Sequence, residues 1–396
     1  MFHHLHTRAA ALVLVSATSF VSLVHADADP VVFTFSTVGD SRQDPLAPDA
    51  TTTPLSGQDT KWLQNTKAFS RILRSIQAQK SNALFFNGDM VMGYGKAVIP
   101  ATIPTIPSDL MFKTDLGQFY VQYAFWRGMV APVMEGGMYV VPVPGNHEVQ
   151  YKAGGKKAQV DNENAWRDNM GDLIVDGARW SSMGLPALSN FSATNNPYTD
   201  PTIRAADGIT TDQSQLSYSF DVGDSHFAIV NTDPVNNDAH APTNWLSADL
   251  ASAQAHGAHH YFVFGHKPAY TYYFGAVSQL PAGASSSLDI DIPARNAFWN
   301  VIETYHATYF CGHEHIFNAS QPAATSGGSA WQILVGSGGS PFDAKPTDST
   351  INPATDRKYA WATVKIHQSG SINVDVYGFN DAYGPTQVLK SIVLPY

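Results

Sequence analysis

A mixed, layered α/β domain is predicted by three features of this sequence. In its first part, helical patterns alternate with apolar runs that stop at a glycine or a polar cluster, which places strands between helices. In its later part, apolar runs follow one another directly, as strands that pair with their neighbours do. Hydrophobic residues make up 44% of the chain and charged residues 14%, so a large core can form and global disorder is excluded. A chain of 396 residues is compatible with two or three domains or with one large one. No internal repeat and no clear linker divides it, which favours one.

The first segment reads as a targeting signal. Arg8 and several histidines precede AAALVLVSATSFVSLV, and VHADA follows, where Val24 and Ala26 suit the small-residue positions of a signal peptidase. Residues 1–26 are therefore expected to be a signal peptide, cleaved after Ala26 or alternatively after Ala28, and the mature chain to be periplasmic or secreted. The rival reading is an uncleaved anchor. The apolar stretch is interrupted by Ser and Thr and falls short of the ~20 apolar residues a spanning helix needs. No other long apolar run follows, so the mature chain is expected to have no transmembrane segment.

The mature domain, 27–396, opens with the strand VVFTFSTVGDS. A helix from about Thr60 to Gln79 puts Trp62, Phe69, Ile72, Leu73 and Ile76 on one face, with Asp59 or Thr60 as its cap. ALFFNGD and MYVVPVPGNHE are the next strands. QLSYSFDVGDSHFAIVNTD reads as a hairpin turning at Gly223 and Asp224. A helix from Thr243 to Ala255 leads into HHYFVFGHKP, and one from Ala294 to Tyr305 leads into ATYFCGHEH. WQILVGSGG, YAWATVKIH, SINVDVYGF and QVLKSIVL form a β-rich close. Residues 95–112 and 183–215 are rich in Pro or in Asn, Thr and Asp, and read as loops long enough to be functional. Insertions are accordingly expected near 95–135 and 183–215. Cys311 is the only cysteine, so no intrachain disulfide forms; it reads as a buried small hydrophobe, with a ligand role as the alternative.

A net charge of −10 argues against binding nucleic-acid duplexes through a basic face, although a local basic pocket remains open. The informative residues stand where the apolar runs end. Asp40 ends the first, Asp89 the second, and Asn146, His147 and Glu148 the third. His266 ends VFGHKP, while His313 and His315 end FCGHEH. Singly, each has an ordinary reading as a turn former or a solvated histidine. Together they repeat one structural position, and ligands of open α/β sheets bind outside the carboxyl ends of strands. In an extended segment, side chains two apart point the same way, so His313 and His315 are expected to reach one spot.

In this order the motifs resemble the calcineurin-like metallophosphoesterase superfamily, whose signature is Asp-x-His, Gly-Asp, Gly-Asn-His-Asp/Glu, a lone His and Gly-His-x-His. The match runs from Asp40 to His315, most of the mature chain, and GNHE with GHEH is its specific part. The resemblance implies a four-layer α/β/β/α sandwich of mixed sheets with a two-metal site at the strand carboxyl ends. It implies that Asp89 bridges the metals, that Asn146, His266 and His313 complete one site, and that Asp40 and His315 belong to the other. One position departs: Arg42 stands where the family has its first His. A guanidinium has no lone pair to give a metal, so Arg42 is expected to bind a substrate phosphate oxygen. Gly-Asp-x-Arg variants occur in the superfamily. The purple acid phosphatase branch has a Tyr three residues after the bridging Asp; here that residue is Met92, and Tyr94 would need a different backbone path to serve.

The implied chemistry is hydrolysis of a small phosphate ester. Two cations about 3.5–4 Å apart bind a phosphoryl oxygen and acidify a shared water, and the bridging hydroxide attacks phosphorus in line. Asp, Asn and His ligands suit Zn, Mn or Fe better than Ca. His147 is the expected general acid and Glu148 the carboxylate that holds its ring. A phosphomonoesterase is the first expectation, a phosphodiesterase of cyclic nucleotides or phospholipid headgroups the second, and a non-catalytic binding protein on the same scaffold the third. Tyr270, Tyr272, Tyr273 or Phe274, which follow His266, either stack on a substrate ring or simply pack.

Overall fold

The computed structural model describes residues 29–43, 66–99, 101, 108–191, 200–273, 287–349 and 351–394. The signal segment, the start of the first helix with Trp62 and its caps, Phe274 and parts of both expected insertions lie outside the described residues. The first strands are β1 (Val31–Val38), β2 (Ala83–Phe86), β3 (Tyr139–Pro142), β4 (Gln150–Tyr151) and β5 (Lys157–Ala158). Then come β6 (Leu188–Ser189), β7 (Tyr218–Val222), β8 (Ser225–Ile229), β9 (His260–Phe264) and β10 (Thr308–Cys311). The chain closes with β11 (Phe317–Ser320), β12 (Gln332–Val335), β13 (Tyr359–His367), β14 (Ile372–Phe379) and β15 (Gln387–Leu394).

Among the described residues they form a six-stranded sheet, β15-β14-β13-β1-β2-β3, a seven-stranded sheet, β11-β12-β10-β9-β8-β7-β6, and a small β4-β5 ribbon. In the first sheet β1, β2 and β3 run parallel, and the C-terminal meander adds antiparallel to β1. In the second, β8, β9, β10 and β12 run parallel.

Alternation along the strands builds the layers. Phe33, Phe35 and Phe85 face Phe227, Phe262, Phe264 and Phe310 of the second sheet. The Phe85 and Phe264 rings stack at a centroid distance of 4.0 Å. The intervening residues Leu84 and Phe86 point outward, against Phe69, Ile72 and Ile76 of the helix Thr66–Ala78 and against Trp126. Outside the second sheet, Val263, Tyr309 and Cys311 pack on the helices Thr243–Ala255 and Ile292–Thr304 through Trp245, Leu250 and Phe298. The result is helices, sheet, sheet, helices. Cys311 is fully buried in that outer core.

The later part of the 95–135 stretch is regular. Asp115–Glu135 is a 21-residue helix whose first turn is capped by Thr114, its Oγ1 accepting from the Gly117 N–H at 3.0 Å. A further helix, Val160–Met170, follows the β4-β5 ribbon.

Candidate metal centre

Both sheets end their parallel strands on one rim, and the loops leaving that rim carry the motif residues. From the first sheet come Asp40, Asp89 and Asn146, and from the second His266, His313 and His315. Backbone bonds knit the two sheets there: Gly39 N donates to Val335 O at 2.9 Å, and Gly338 N to Gly39 O at 2.8 Å. The loops turn sharply. Asp40, Asp89 and His313 sit at φ of 62°, 54° and 73°, a left-handed conformation costing roughly 1–3 kcal/mol when it is not glycine. It is held by hydrogen bonds, Asp40 N to Gly88 O at 2.9 Å and His313 N to Asp40 Oδ2 at 3.0 Å. Gly312 has to be glycine for room, since a Cβ there would overlap the Asp40 carboxylate.

Two clusters of ligand atoms form, and Asp89 belongs to both. In the first, Asn146 Oδ1 lies 2.8 Å from His266 Nε2 and 2.9 Å from His313 Nδ1, and Asp89 Oδ1 lies 3.1 Å from His266 Nε2. The two imidazole nitrogens are 3.2 Å apart. His266 Nδ1–H donates to Asn87 O at 2.7 Å, so its Nε2 is the lone-pair nitrogen of the neutral ring. In the second cluster, ligand atoms of Asp40, Asp89 and His315 lie within 4.8 Å of one another. His315 Nδ1–H donates to Pro341 O at 2.6 Å, which turns Nε2 toward Asp40 Oδ1 at 3.6 Å.

His313 and His315 therefore do not reach one spot. The positive φ of His313 breaks the extended path, and the rings part into different clusters.

This donor set fits a pair of cations. Carboxylate, amide oxygen and imidazole lone pairs converge at hydrogen-bond distance with no fixed donor among them, which is unfavourable unless a positive charge sits between them. A proton on His266 meets part of this. Burial opposes charge on His266, but Asp89 and Asp40 outweigh it and its pKa rises to about 9. Burial drives Asp40 well above the carboxylate range. It opposes ionisation of Asp89 as well, yet His147, His266 and Arg42 hold that group well below the range. Burial, then His266 and Lys267, hold His313 well below its usual value.

Arg42 reaches the second cluster from the side. Its Nε is 3.8 Å from Asp89 Oδ2, and its guanidinium lies 3.5 Å from His315 Nε2 and 3.5 Å from Met92 Sδ. His147 donates Nδ1–H to Met92 O at 2.5 Å, leaving Nε2 3.6 Å from Asp89 Oδ2.

Glu148 does not hold the His147 ring. Its two carboxylate oxygens accept from four backbone N–H groups: Gly145 at 2.8 Å, Asp89 at 2.9 Å, Met90 at 2.8 Å and Val91 at 3.2 Å. It thereby clamps the Asp89 loop to the Asn146 turn, and the Met92 carbonyl takes the ring instead. Burial and then the Asp89 charge push its pKa up to about 7, against the pull of those N–H groups.

Three supporting residues escaped the motif pattern. Tyr94, at φ 63°, takes a hydrogen bond from Asn146 Nδ2, which aims Oδ1 at the histidines. Asp343 accepts from His315 N at 2.7 Å. Lys267, next to His266, forms a buried pair with Asp233 at 2.5 Å. Lys267 carries a sequence signal as the residue after a motif histidine, and Tyr94 enters the sequence reading only as a tyrosine near the bridging Asp. The tyrosines after His266 are engaged by the protein. The Tyr272 and Tyr273 N–H groups donate to Glu314, and their hydroxyls to Asp356 and Asp348. Tyr270 packs on Trp299 under the Arg295 guanidinium.

No family model and no curated protein matches the sequence. Solved structures do match. A purple acid phosphatase from yellow lupin (Lupinus luteus) seeds superposes with a TM-score of 0.56 at 11% identity, over 91% of this chain and 53% of that one. This chain thus spans about half the length of the lupin protein. A dimetal phosphatase from Danio rerio gives a TM-score of 0.47 at 11% identity, over 91% and 100% of the two chains. GAP50 of the Plasmodium inner membrane complex gives 0.45 at 14%, over 92% and 89%. The likeness to the lupin structure shows a shared fold, the two-sheet sandwich of calcineurin-like phosphoesterases.

Proposed function

We propose that the chain is an exported, metal-dependent phosphoesterase acting on small phosphate esters, with monoesters preferred. The observation that carries this reading is the pair of ligand clusters sharing Asp89, with Arg42 and His147 set against that same carboxylate. Asp89, Asn146, His266 and His313 would hold one metal ion, and Asp40, Asp89 and His315 the other. Two such ions polarise a phosphoryl oxygen and lower the pKa of a bound water.

The chain's own residues supply the rest. Asn146 Nδ2 donates to the Tyr94 hydroxyl, and its Oδ1 faces the histidines. Arg42 offers charge-assisted N–H bonds to a phosphate oxygen, which a metal-ligating His at that position could not do. Its fork also restrains which way an ester can lie. His147 is assigned proton transfer at the leaving oxygen, an effect typically worth ~10²–10⁴-fold. Its tautomer is set by Met92 O, so Nε2 is the atom that acts. Burial holds its pKa down to about 3, so the resting ring is neutral and serves as the acid only after accepting the proton that the attacking water releases, which it then passes to the leaving oxygen. Export is supported by the basic-then-apolar start and the VHADA site, and N-terminal sequencing of the mature protein tests it.

The experiment is metal analysis after loading with Zn, Mn or Fe, followed by hydrolysis of p-nitrophenyl phosphate and its bis ester. Two ions per chain and faster monoester turnover are expected, both lost in Asp89→Ala with the circular dichroism unchanged. A faster bis ester would favour the diesterase reading. Full metal loading with neither ester cleaved would refute catalysis and leave a binding protein.

A further inference from the structure

Tyr94 touches both the proposed acid and the first ligand cluster. The loop that leaves Asp89 reaches it through Gly93, and both residues are left-handed, at φ of 48° and 63°. Gly93 has to be glycine, since a Cβ there would overlap the His147 carbonyl. Tyr94 carries a Cβ, so its own left-handed turn is strained and must be held by its surroundings. Tyr94 N donates to His147 O at 3.0 Å, Lys152 N to Tyr94 O at 3.0 Å, and Gly93 N to Gln122 Oε1 at 3.1 Å. The turn lays the Tyr94 ring on the His147 imidazole, with centroids 3.8 Å apart, and brings its hydroxyl to the Asn146 amide. Non-glycine residues kept in such a conformation cluster at functional sites.

The hydroxyl has a proton left to give. A phenol offers one O–H donor beside the lone pairs of its oxygen, and it is protonated at neutral pH. Asn146 Nδ2 donates to that oxygen, and an amide nitrogen cannot take the phenol proton in return. Among the described residues this is the only hydrogen bond of the Tyr94 hydroxyl. Tyr94 is half-buried, whereas Asn146 and His147 are buried. Arg42 has the matching place at the other cluster, beside Asp89 and His315. We propose that Tyr94 is a further catalytic residue, whose O–H donates to one non-bridging phosphoryl oxygen of the substrate on the Asn146 side while Arg42 donates to another on the His315 side. The proposal rests on the phosphoester reading above and gives its monoester preference a cause. A monoester has three non-bridging oxygens and a diester two. Arg42 and the ligand clusters account for two, so only the monoester has an oxygen left for Tyr94.

Tyr94→Phe removes the hydroxyl and keeps the ring, its stack on His147 and the backbone turn. Calorimetry of the metal-loaded protein with inorganic phosphate is expected to show binding weakened roughly tenfold or more, as loss of a hydrogen bond to a charged oxygen gives. The kcat/KM for p-nitrophenyl phosphate should fall with it while that for the bis ester holds, so the monoester preference narrows. Metal content at saturating metal should be two ions per chain in both proteins. A hydroxyl that only steadies Asn146 would instead lower the metal content and slow both esters alike, and that result would overturn the proposal. Phosphate affinity equal to that of the wild type would do the same. So would a visible phenolate-to-iron absorption of the ferric protein that Tyr94→Phe abolishes, since Tyr94 would then be a metal ligand. If neither ester is cleaved, the phosphoester reading falls, and the phosphate titration still decides whether the Tyr94 hydroxyl binds the anion.

Discussion

Glu148→Gln is expected to loosen the metal centre before any chemistry is measured. The native carboxylate accepts four backbone N–H bonds of 2.8–3.2 Å from two loops, and it is fully buried. Hydrogen bonds to a charged group are worth roughly 1.5–3 kcal/mol each. A glutamine keeps one acceptor oxygen and turns an NH₂ toward the other two N–H donors, so about two bonds are lost. The two lost bonds cost roughly 3–6 kcal/mol, but at pH 8 removing a buried charge whose pKa is pushed up to about 7 gives back on the order of 3 kcal/mol, so the net destabilisation is expected at roughly 0–3 kcal/mol. Urea unfolding of the metal-stripped protein at pH 8, above the pKa of about 7 to which Glu148 is pushed, reads this directly. The midpoint should fall by at most roughly 1 M, whereas metal affinity should fall clearly, because Asp89 and Asn146 are no longer held together. The competing view, in which Glu148 merely orients His147, predicts slower turnover with unchanged stability. Metal affinity equal to that of the wild type would refute the clamp.

Arg42→Ala is expected to leave two metal ions per chain and weaken inorganic phosphate binding by roughly tenfold, measured by calorimetry on the loaded protein. Arg42→His raising metal occupancy above that of the wild type would show instead that the guanidinium repels the second ion. A separate prediction concerns His226, buried between Asp221 at 2.6 Å and Asp249 at 2.9 Å, with the Tyr261 ring beyond. Burial opposes its charge, but the two carboxylates win and raise its pKa to about 9. A raised folded-state pKa stabilises fully below the unfolded value near 6.5, and that contribution, on the order of 3 kcal/mol, is lost as pH rises through 9. Melting temperature from pH 6 to 10 should therefore fall more steeply in the wild type than in His226→Gln, and parallel profiles would show that the imidazolium is not buried there.

Much of this was legible along the chain because it is local. The strands before GDS, NGD, GNHE, GHK and GHEH announce themselves as apolar runs ending in glycine and polar residues, and the ligand types follow from side-chain chemistry alone. The helix Asp115–Glu135 was not legible. Its buried stripe of Phe119, Tyr123, Trp126, Val130 and Val133 is blurred by Tyr120, Phe125 and Met129 on other faces, and Gly128 and Pro132 read as breakers. Tertiary structure decided that the extra apolar residues partly line a cavity. It also decided how the site residues are used. Asp40 meets His313 across 273 residues of sequence, and a single left-handed φ sends His313 and His315 to different clusters. Glu148 finds its partners on two loops, and Tyr94 reaches Asn146 by a backbone turn that no spacing rule encodes. Composition and periodicity determine which segments become strands and which residues stand at their ends. Where those ends point depends on backbone conformations stabilised only by contacts between distant segments, and such contacts exist only after the chain has folded.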